Sequence, residues 1–395
     1  MRVVFGIDVS KASSEVAVVI DMKRIKLFEI ENNRPGFNLL GQELSAFENP
    51  EIIFEATGVY SNRLCRFLND NNYVYTCLNP LEAKKQLDSL RKRKTDANDA
   101  WRLAETQFRF SRPTSHAVSP IYSELLILSR HYDQISCDLV KCKNRIHRSL
   151  QNTFPEIEMV VDKKDTTFYW NIIELFAHPD LVTSLTLNEV FLKLQQISTH
   201  HAKSWLLKKA KYIQDLAGIT YPVCDVTSSE VNQIQYLADQ AVQLIKRKDM
   251  LIKRMAKLAE NYPDLEIIKS IPGIGEKTAV LLMGELGDLH RFKGSSKLNA
   301  FVGIDIRHYQ SGDSVAPDRI SKLGNAHARK VLYQSVMSIA SVKSPCHIKD
   351  FYKHKKQSSS STKKTAIATM QRLLRTIYHL VLNNQMYSYE IAKGR

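Results

Sequence analysis

Four acidic residues in the first hundred positions could do metal-dependent phosphoryl chemistry: Asp8, Glu55, Asp96 and Asp99. Asp8 closes the apolar run Val3-Val4-Phe5-Gly6-Ile7, and Glu55 closes Ile52-Ile53-Phe54 ahead of Ala56-Thr57-Gly58. Asp96 and Asp99 stand three apart at the start of a helical pattern, so they project from one side of it. They directly follow Arg91-Lys92-Arg93-Lys94 and Thr95. Carboxylates are hard oxygen ligands suited to Mg²⁺. Two such ions about 3.5–4 Å apart would activate an oxygen nucleophile, stabilise the leaving oxygen and neutralise phosphate charge. The basic run would bring a phosphate backbone beside such a cage. Spacing alone leaves a second reading open, in which the same acids cap helices or coat the surface. Asp70 and Asp88 lack a strand-end position and read as solvated.

A second constellation is Gln310-Ser311-Gly312, with His308 close by. A serine hydroxyl is a weak nucleophile unless a base or metal activates it. No His/Asp triad can be read by spacing. A serine beside glycine in a polar loop is most often a turn residue.

Periodicity gives the elements that must hold these side chains. Residues 3–8, 15–20 and 25–31 read as three strands, and Pro35-Gly36 precedes an amphipathic segment over 37–47. A strand over 51–55, a helix over 60–69, a strand over 73–78 and a helix from Asp96 follow. Three strands, helix, strand, helix, strand, helix is the element order of the ribonuclease-H-like fold. Catalytic acids in that fold end the first and fourth strands and stand on a later helix, where the present four fall.

Two long stripes come next. Ile121, Leu125, Leu128, Tyr132, Ile135, Leu139, Cys142 and Ile146 alternate four and three apart, as do Leu237, Ala241, Leu244, Lys248, Leu251, Met255 and Leu258. Such spacing marks a coiled-coil seam, with packing against the protein's own core as the other reading. Residues 155–228 are mixed and largely helical in pattern. Ile271-Pro272-Gly273-Ile274-Gly275 reads as the turn of a helix-hairpin-helix, in which the N–H groups around Gly273 and Gly275 can face a phosphate. An inert helix connection has the same sequence. Phe301-Val302-Gly303-Ile304 looks strand-like, residues 326–342 helical, residues 355–364 a polar and mobile linker, and residues 365–382 a closing amphipathic helix. The pattern divides the chain at residues 1–115, 116–262 and 263–395.

The balance of 56 Lys+Arg against 41 Asp+Glu leaves a formal charge of +15, which favours polyanion partners. No run approaches the roughly 20 apolar residues of a membrane helix, and the start does not read as a secretory signal. Six cysteines without a CxxC pair fit a reducing cytoplasm. No GxxxxGK[ST] loop is present, so ATP use is not expected.

Together these segments resemble the DEDD-type insertion-sequence transposases related to the Piv and MooV DNA invertases, whose better-studied members are RNA-guided recombinases. The resemblance is carried by Gly6-Ile7-Asp8-Val9-Ser10-Lys11, Glu55-Ala56-Thr57-Gly58 and Lys94-Thr95-Asp96-Ala97-Asn98-Asp99-Ala100. It continues in Ile271 to Gly275, Phe301 to Ile304, Gln310-Ser311-Gly312 and Arg319-Ile320-Ser321-Lys322-Leu323-Gly324-Asn325, all in the family's order. It implies a RuvC-like amino-terminal domain, a coiled coil and a mostly helical carboxy-terminal transposase domain. It also implies that Asp8, Glu55, Asp96 and Asp99 bind Mg²⁺ and that Ser311 becomes covalently joined to the cleaved strand. Arg319, Lys322 and Arg329 are then phosphate-contacting candidates, alongside Arg91, Lys92, Arg93 and Lys94. The chain departs from the family in a long middle region and in Ser358–Ser361, which replace a basic, glycine-containing connection.

The expected function is site-specific DNA recombination for transposition, acting on donor and target DNA. A structured guide RNA is implied by the resemblance alone. The site is expected to be composite, within one chain or between subunits, in a dimer or tetramer of cytoplasmic, nucleoid-associated protein. The alternative is a metal-dependent nuclease for branched, Holliday-junction-like DNA, with water as the nucleophile.

Overall fold

The computed structural model describes residues 1–80, 96–110, 112, 114, 119–311, 314–359 and 361–393. Asp88 and the basic run Arg91 to Lys94 lie outside them. The chain divides into two compact units, Met1–Ala117 and Val118–Arg395.

The first unit is built on a five-stranded sheet of order β3-β2-β1-β4-β5. β1 (Val3–Val9), β2 (Ser13–Ile20) and β3 (Lys23–Glu31) form an antiparallel meander. The β2–β3 hairpin turns through Asp21 and Met22, both at positive φ, as a two-residue turn of this twist requires. α1 (Arg34–Ser45) then crosses to β4 (Glu51–Glu55), which pairs parallel to β1, and α2 (Ser61–Asp70) crosses to β5 (Tyr75–Leu78). α3 (Asp96–Arg109) completes the described part. This mixed sheet is consistent with a ribonuclease-H-like domain.

The sheet is covered on both faces, so β1 reads as a continuous apolar run rather than an alternating one. Val3, Phe5, Ile7 and Val9 pack with Phe37, Leu40 and Leu44 of α1 and Leu64 and Leu68 of α2. Val4, Val19, Ile53 and Leu78 pack with Leu103 and Ala104 of α3 on the other face.

The second unit hangs on two 31-residue helices, α4 (Pro120–Leu150) and α9 (Ser229–Ala259). Most of each stripe is buried within the chain itself, with Ile121, Leu244, Lys248 and Leu258 half-buried. Cys142 Sγ reaches Leu237 O at 3.0 Å and Arg254 pairs with Glu124 at 2.7 Å, so the two helices run antiparallel. The seam is therefore occupied without a second chain.

One end of this pair carries a core from α5 (Thr167–Leu175), α6 (Asp180–Thr183), α7 (Leu187–Ile197) and α8 (Lys203–Ile219). The other carries α10 (Pro263–Lys269), α11 (Glu276–Leu286), α12 (Ser295–Val302), α13 (Ala326–Ser341), α14 (His347–Ser358) and α15 (Thr362–Leu382). A hairpin of β6 (Ile306–Ser311) and β7 (Ser314–Ile320) lies between α12 and α13, and α16 (Tyr389–Lys393) ends the described chain.

Two expectations are corrected. Phe301 and Val302 end a helix, which Gly303 caps in the left-handed conformation at φ 77°, rather than forming a strand. An apolar run of this length suits the last turn of a buried helix as well as a strand. Residues 355–364 are not a linker: α14 continues to Ser358 and α15 starts at Thr362, with Ser361 capping Lys364 N. Serine is a poor helix former but a good N-cap, so the serine run marks a helix boundary.

Candidate active site

Strand alternation decides where the first two acids point. Val4 faces α3, so Gly6 and Asp8, two and four residues on, share that face. Ile53 also faces α3, which puts Glu55 on the same face. β1 and β4 pair parallel with Ile7 opposite Phe54, so Asp8 and Glu55 are the next residues along adjacent strands. Both are half-buried at the carboxyl ends of their strands, where open α/β sheets expose their ligand-binding edge.

Gly6 lets α3 approach them. A Cβ there would sit 2.2 Å from Ala100 O and 2.6 Å from Ala104 N, so the helix backbone lies directly on the strand. Farther along, Gln107 O accepts from Arg2 Nη2 at 2.9 Å. α3 therefore runs antiparallel to β1, and its first turn, with Asp96 and Asp99, extends past Gly6 toward the Asp8 end. The partial positive charge of the helix amino terminus favours carboxylates there. Asp99 makes a loose 3.8 Å contact with Arg102.

A fifth carboxylate escaped the sequence reading. Glu15 on β2 stands opposite Asp8 and, across the other ladder, opposite Glu29. Burial first, then the charges of Glu29 and Asp96, push the Glu15 carboxyl above its usual range. Asp8, Glu55 and Glu15 thus share one face, with Glu15 close enough to Glu29 and Asp96 to feel their charge. Their oxygen-only donor set fits a hard divalent cation. Among the described residues no three of them converge as a ready-made metal cluster. The Thr57 hydroxyl, two residues beyond Glu55, is buried with no hydrogen-bond partner among the described residues. Asp70, by contrast, is exposed and paired with Arg66.

In the second unit, Ser311 ends β6 opposite Ser314. Arg307 and Arg319 face each other across the same hairpin and both are exposed, an arrangement that repels unless an anion lies between them. The hairpin's base is tied down. Ser321 Oγ donates to Asp305, Lys322 N to Gly303 O at 3.1 Å, and Arg329 Nη1 to Val302 O and Gly324 O at 2.8 and 3.0 Å. Lys322 is exposed at φ 56°, whereas one nitrogen of Arg329 is committed to the fold.

Gly273, at φ 92°, lies in the turn between α10 and α11, where a Cβ would meet Ile339 Cα at 2.8 Å. Its carbonyl accepts from Ser338 Oγ at 2.7 Å, so this side of the turn backs onto α13. Gly275 is exposed as the N-cap of α11.

Residues 5–155 match a transposase family named for IS110, and residues 265–353 match the transposase IS116/IS110/IS902 family. The pilin gene-inverting protein of Moraxella lacunata is 27% identical over 205 residues, covering 52% of this chain and 61% of the relative. The chain thus matches about three-fifths of that relative's length. The transposase for insertion sequence element IS1111A of Coxiella burnetii is 35% identical over 88 residues, 22% of this chain and 23% of that protein. An IS116 insertion-element protein of Streptomyces clavuligerus is 22% identical over 309 residues, 75% of this chain and 73% of that one. With one family matching both ends in order, around an acidic sheet edge and a serine hairpin, the chain belongs to the IS110 family of transposases.

Proposed function

We propose that this chain is a transposase and DNA recombinase that cuts and rejoins DNA strands by divalent-metal-dependent phosphoryl transfer. The observation that carries the reading is the shared face of Asp8, Glu55 and the first turn of α3, with a carboxylate, Glu15, pushed up by burial and then by its acidic neighbours. The family match and the relatives named for transposition and gene inversion support DNA as the substrate.

Asp8, Glu55, Asp96 and Asp99 would hold the divalent cation. When bound, Mg²⁺, as two ions, would neutralise phosphate charge and favour an ionised nucleophile. Ser311 is the proposed nucleophile. Its Oγ forms a bond to phosphorus as the bond to one bridging strand oxygen breaks. The serine proton passes to a base, and the leaving oxygen keeps the electron pair and takes up a proton. One phosphoester replaces another, so bond energy is conserved for rejoining. Arg319 and Lys322, and the run Arg91 to Lys94, would contact backbone phosphates. A guide RNA and an oligomeric assembly extend the reading on family grounds, and the +15 charge accommodates either nucleic acid.

The test is Ser311→Ala in the full chain, assayed with Mg²⁺ and DNA for strand cleavage and for a covalent protein–DNA adduct. Both should be lost while the fold is retained. Adduct-free cleavage at the wild-type rate would instead make water the nucleophile and the protein a structure-specific nuclease. Sequencing the nucleic acid that co-purifies tests guidance, since a discrete structured RNA is required by it.

A further inference from the structure

The carboxy-terminal region holds a second basic feature that neither the acids nor the serine uses. Arg372, Arg375, Thr376 and His379 occur at i, i+3, i+4 and i+7 of α15 and form one stripe. The opposite stripe, with Leu373, Leu374, Ile377, Tyr378 and Val381, is buried in the core. After α15 the chain reverses at Asn384, at φ 47°, and residues 385–388 return over the basic stripe. The result is a cavity of about 250 Å³ whose lining contains no aspartate or glutamate.

Its walls are fixed before any ligand arrives. His347 stacks on Tyr387 with ring centroids 5.5 Å apart. The Tyr387 hydroxyl meets His347 Nδ1 at 2.9 Å and accepts from His347 N at 3.0 Å, while Tyr387 N donates to Ser270 Oγ at 2.8 Å. The Arg372 guanidinium lies 5.3 Å from the Phe351 ring, which anchors it without neutralising it. Elsewhere in the protein, arginines such as Arg2, Arg24, Arg66, Arg130 and Arg254 pair with carboxylates. Among the described residues no carboxylate pairs with Arg372 or Arg375. The acids nearest by sequence are Glu390, which is absent from the lining, and Asp350, which accepts from Tyr389 Oη at 3.1 Å.

We propose that this pocket binds a phosphate of a nucleic-acid strand through Arg372 and Arg375. Two adjacent guanidinium groups present planar forks that match phosphate oxygens bidentately. Ser388 and Asn383 line the same cavity and add neutral donors, although one Asn383 N–H is given to His379 O at 2.7 Å and the Thr376 hydroxyl to Arg372 O at 3.0 Å. The volume falls below the roughly 300 Å³ at which pockets for whole drug-sized ligands begin. A phosphate and its adjoining sugar fit, with the base left outside. The proposal rests on the nucleic-acid reading above, and it adds a backbone clamp remote in sequence from Ser311.

The test uses the full chain and a single-stranded DNA or RNA oligonucleotide as probe. Phenylglyoxal modification, read by mass spectrometry on the unmutated protein, should be suppressed at Arg372 and Arg375 by the oligonucleotide. The double variant Arg372→Gln/Arg375→Gln should bind about tenfold more weakly or worse. Its salt dependence should become shallower by about 0.7 in log–log slope, the loss of one single-strand phosphate contact. Unchanged modification overturns the proposal, as does a folded double variant with wild-type affinity and slope. If inorganic phosphate or AMP protects as well as the strand does, the site takes a free anion and the strand assignment is wrong. A protein that binds no nucleic acid at all sinks the recombinase reading itself, which separates the two failures.

Discussion

Replacing Gly6 by alanine tests whether the approach of α3 positions the acids. The added Cβ would lie 2.2 Å from Ala100 O, 2.6 Å from Ala104 N and 2.9 Å from Ala104 Cβ. Two of the three are backbone atoms, so no side chain can swing aside. Ordinary contact at 3.5 Å or more requires the helix to retreat by about 1 Å. Overpacking of this kind costs about 1–3 kcal/mol. The retreat also carries Asp96 and Asp99 away from Asp8 and Glu55, and a displacement near 1 Å costs about 10²-fold in rate. Trp101 lies on α3 and is the only tryptophan of the first unit, so its fluorescence reports urea unfolding there. Gly41→Ala is the control: its Cβ would meet only the Phe67 ring, at 3.4 Å, inside α1, where alanine is the better helix former. Gly6→Ala should lower both the first unit's stability and Mg²⁺-dependent DNA cleavage, while Gly41→Ala leaves both near wild type. Wild-type stability and cleavage in Gly6→Ala would refute the argument that the close contact sets the acids.

Three further outcomes can be measured. Arg130→Met should destabilise the second unit by about 2–4 kcal/mol in chemical denaturation, because Glu285, whose side chain is 1% exposed, keeps Ser129 and Asn325 but loses its cation. Burial, then the charge of Arg372, pushes His347 down to about 4 against the opposing pull of Asp350. Its folded pKa lies below the unfolded value, so protonation favours the unfolded chain. Stability is full above about pH 6.5 and falls toward pH 4 by at most about 3 kcal/mol. His347→Gln should flatten that part of a denaturation profile. Glu15 is displaced the other way, with a raised folded pKa, so its charge opposes folding at neutral pH and the loss is relieved as pH falls through that pKa. Glu15→Gln should therefore raise the melting temperature at pH 7 and not at low pH, and should shrink the stabilisation given by added Mg²⁺.

The strands that carry Asp8 and Glu55 were legible because a sheet covered on both faces writes itself as unbroken Val/Ile/Phe runs. The helix of Asp96 and Asp99 was legible from its period. Glu15 was not, because its meaning is non-local: it joins the acids only through the register that sets Asp8 opposite Glu15 and Glu15 opposite Glu29. The three-residue connection between β1 and β2 and the two-residue β2–β3 turn were the available clues, since short turns fix register. The stripes on α4 and α9 were legible as apolar stripes of long helices, but a 4-3 period does not say whether its partner is another chain or the next long helix of the same one. Phe301 to Ile304 was misread because so short an apolar run satisfies either period, and the deciding residue, Gly303, acts as a helix stop rather than a strand interruption.

The acidic face also has an energetic logic. Like charges opposite one another across a ladder weaken a sheet, and Asp8, Glu15 and Glu29 occupy one such row. The amino-terminal end of α3 offsets part of that repulsion through its backbone dipole, yet the same turn brings two more carboxylates to it. The helix therefore concentrates negative charge faster than its dipole neutralises it. A fold that only needed stability would be improved by substituting Glu15, whose carboxyl is held above its usual range by burial and by the charges of Glu29 and Asp96. The arrangement makes physical sense if a mobile cation completes it, since a site that repels itself when empty gains most when a divalent ion enters. That coupling turns the Glu15→Gln experiment into a direct probe of the face: removing the strain should raise stability without metal and lower the further gain when metal is added.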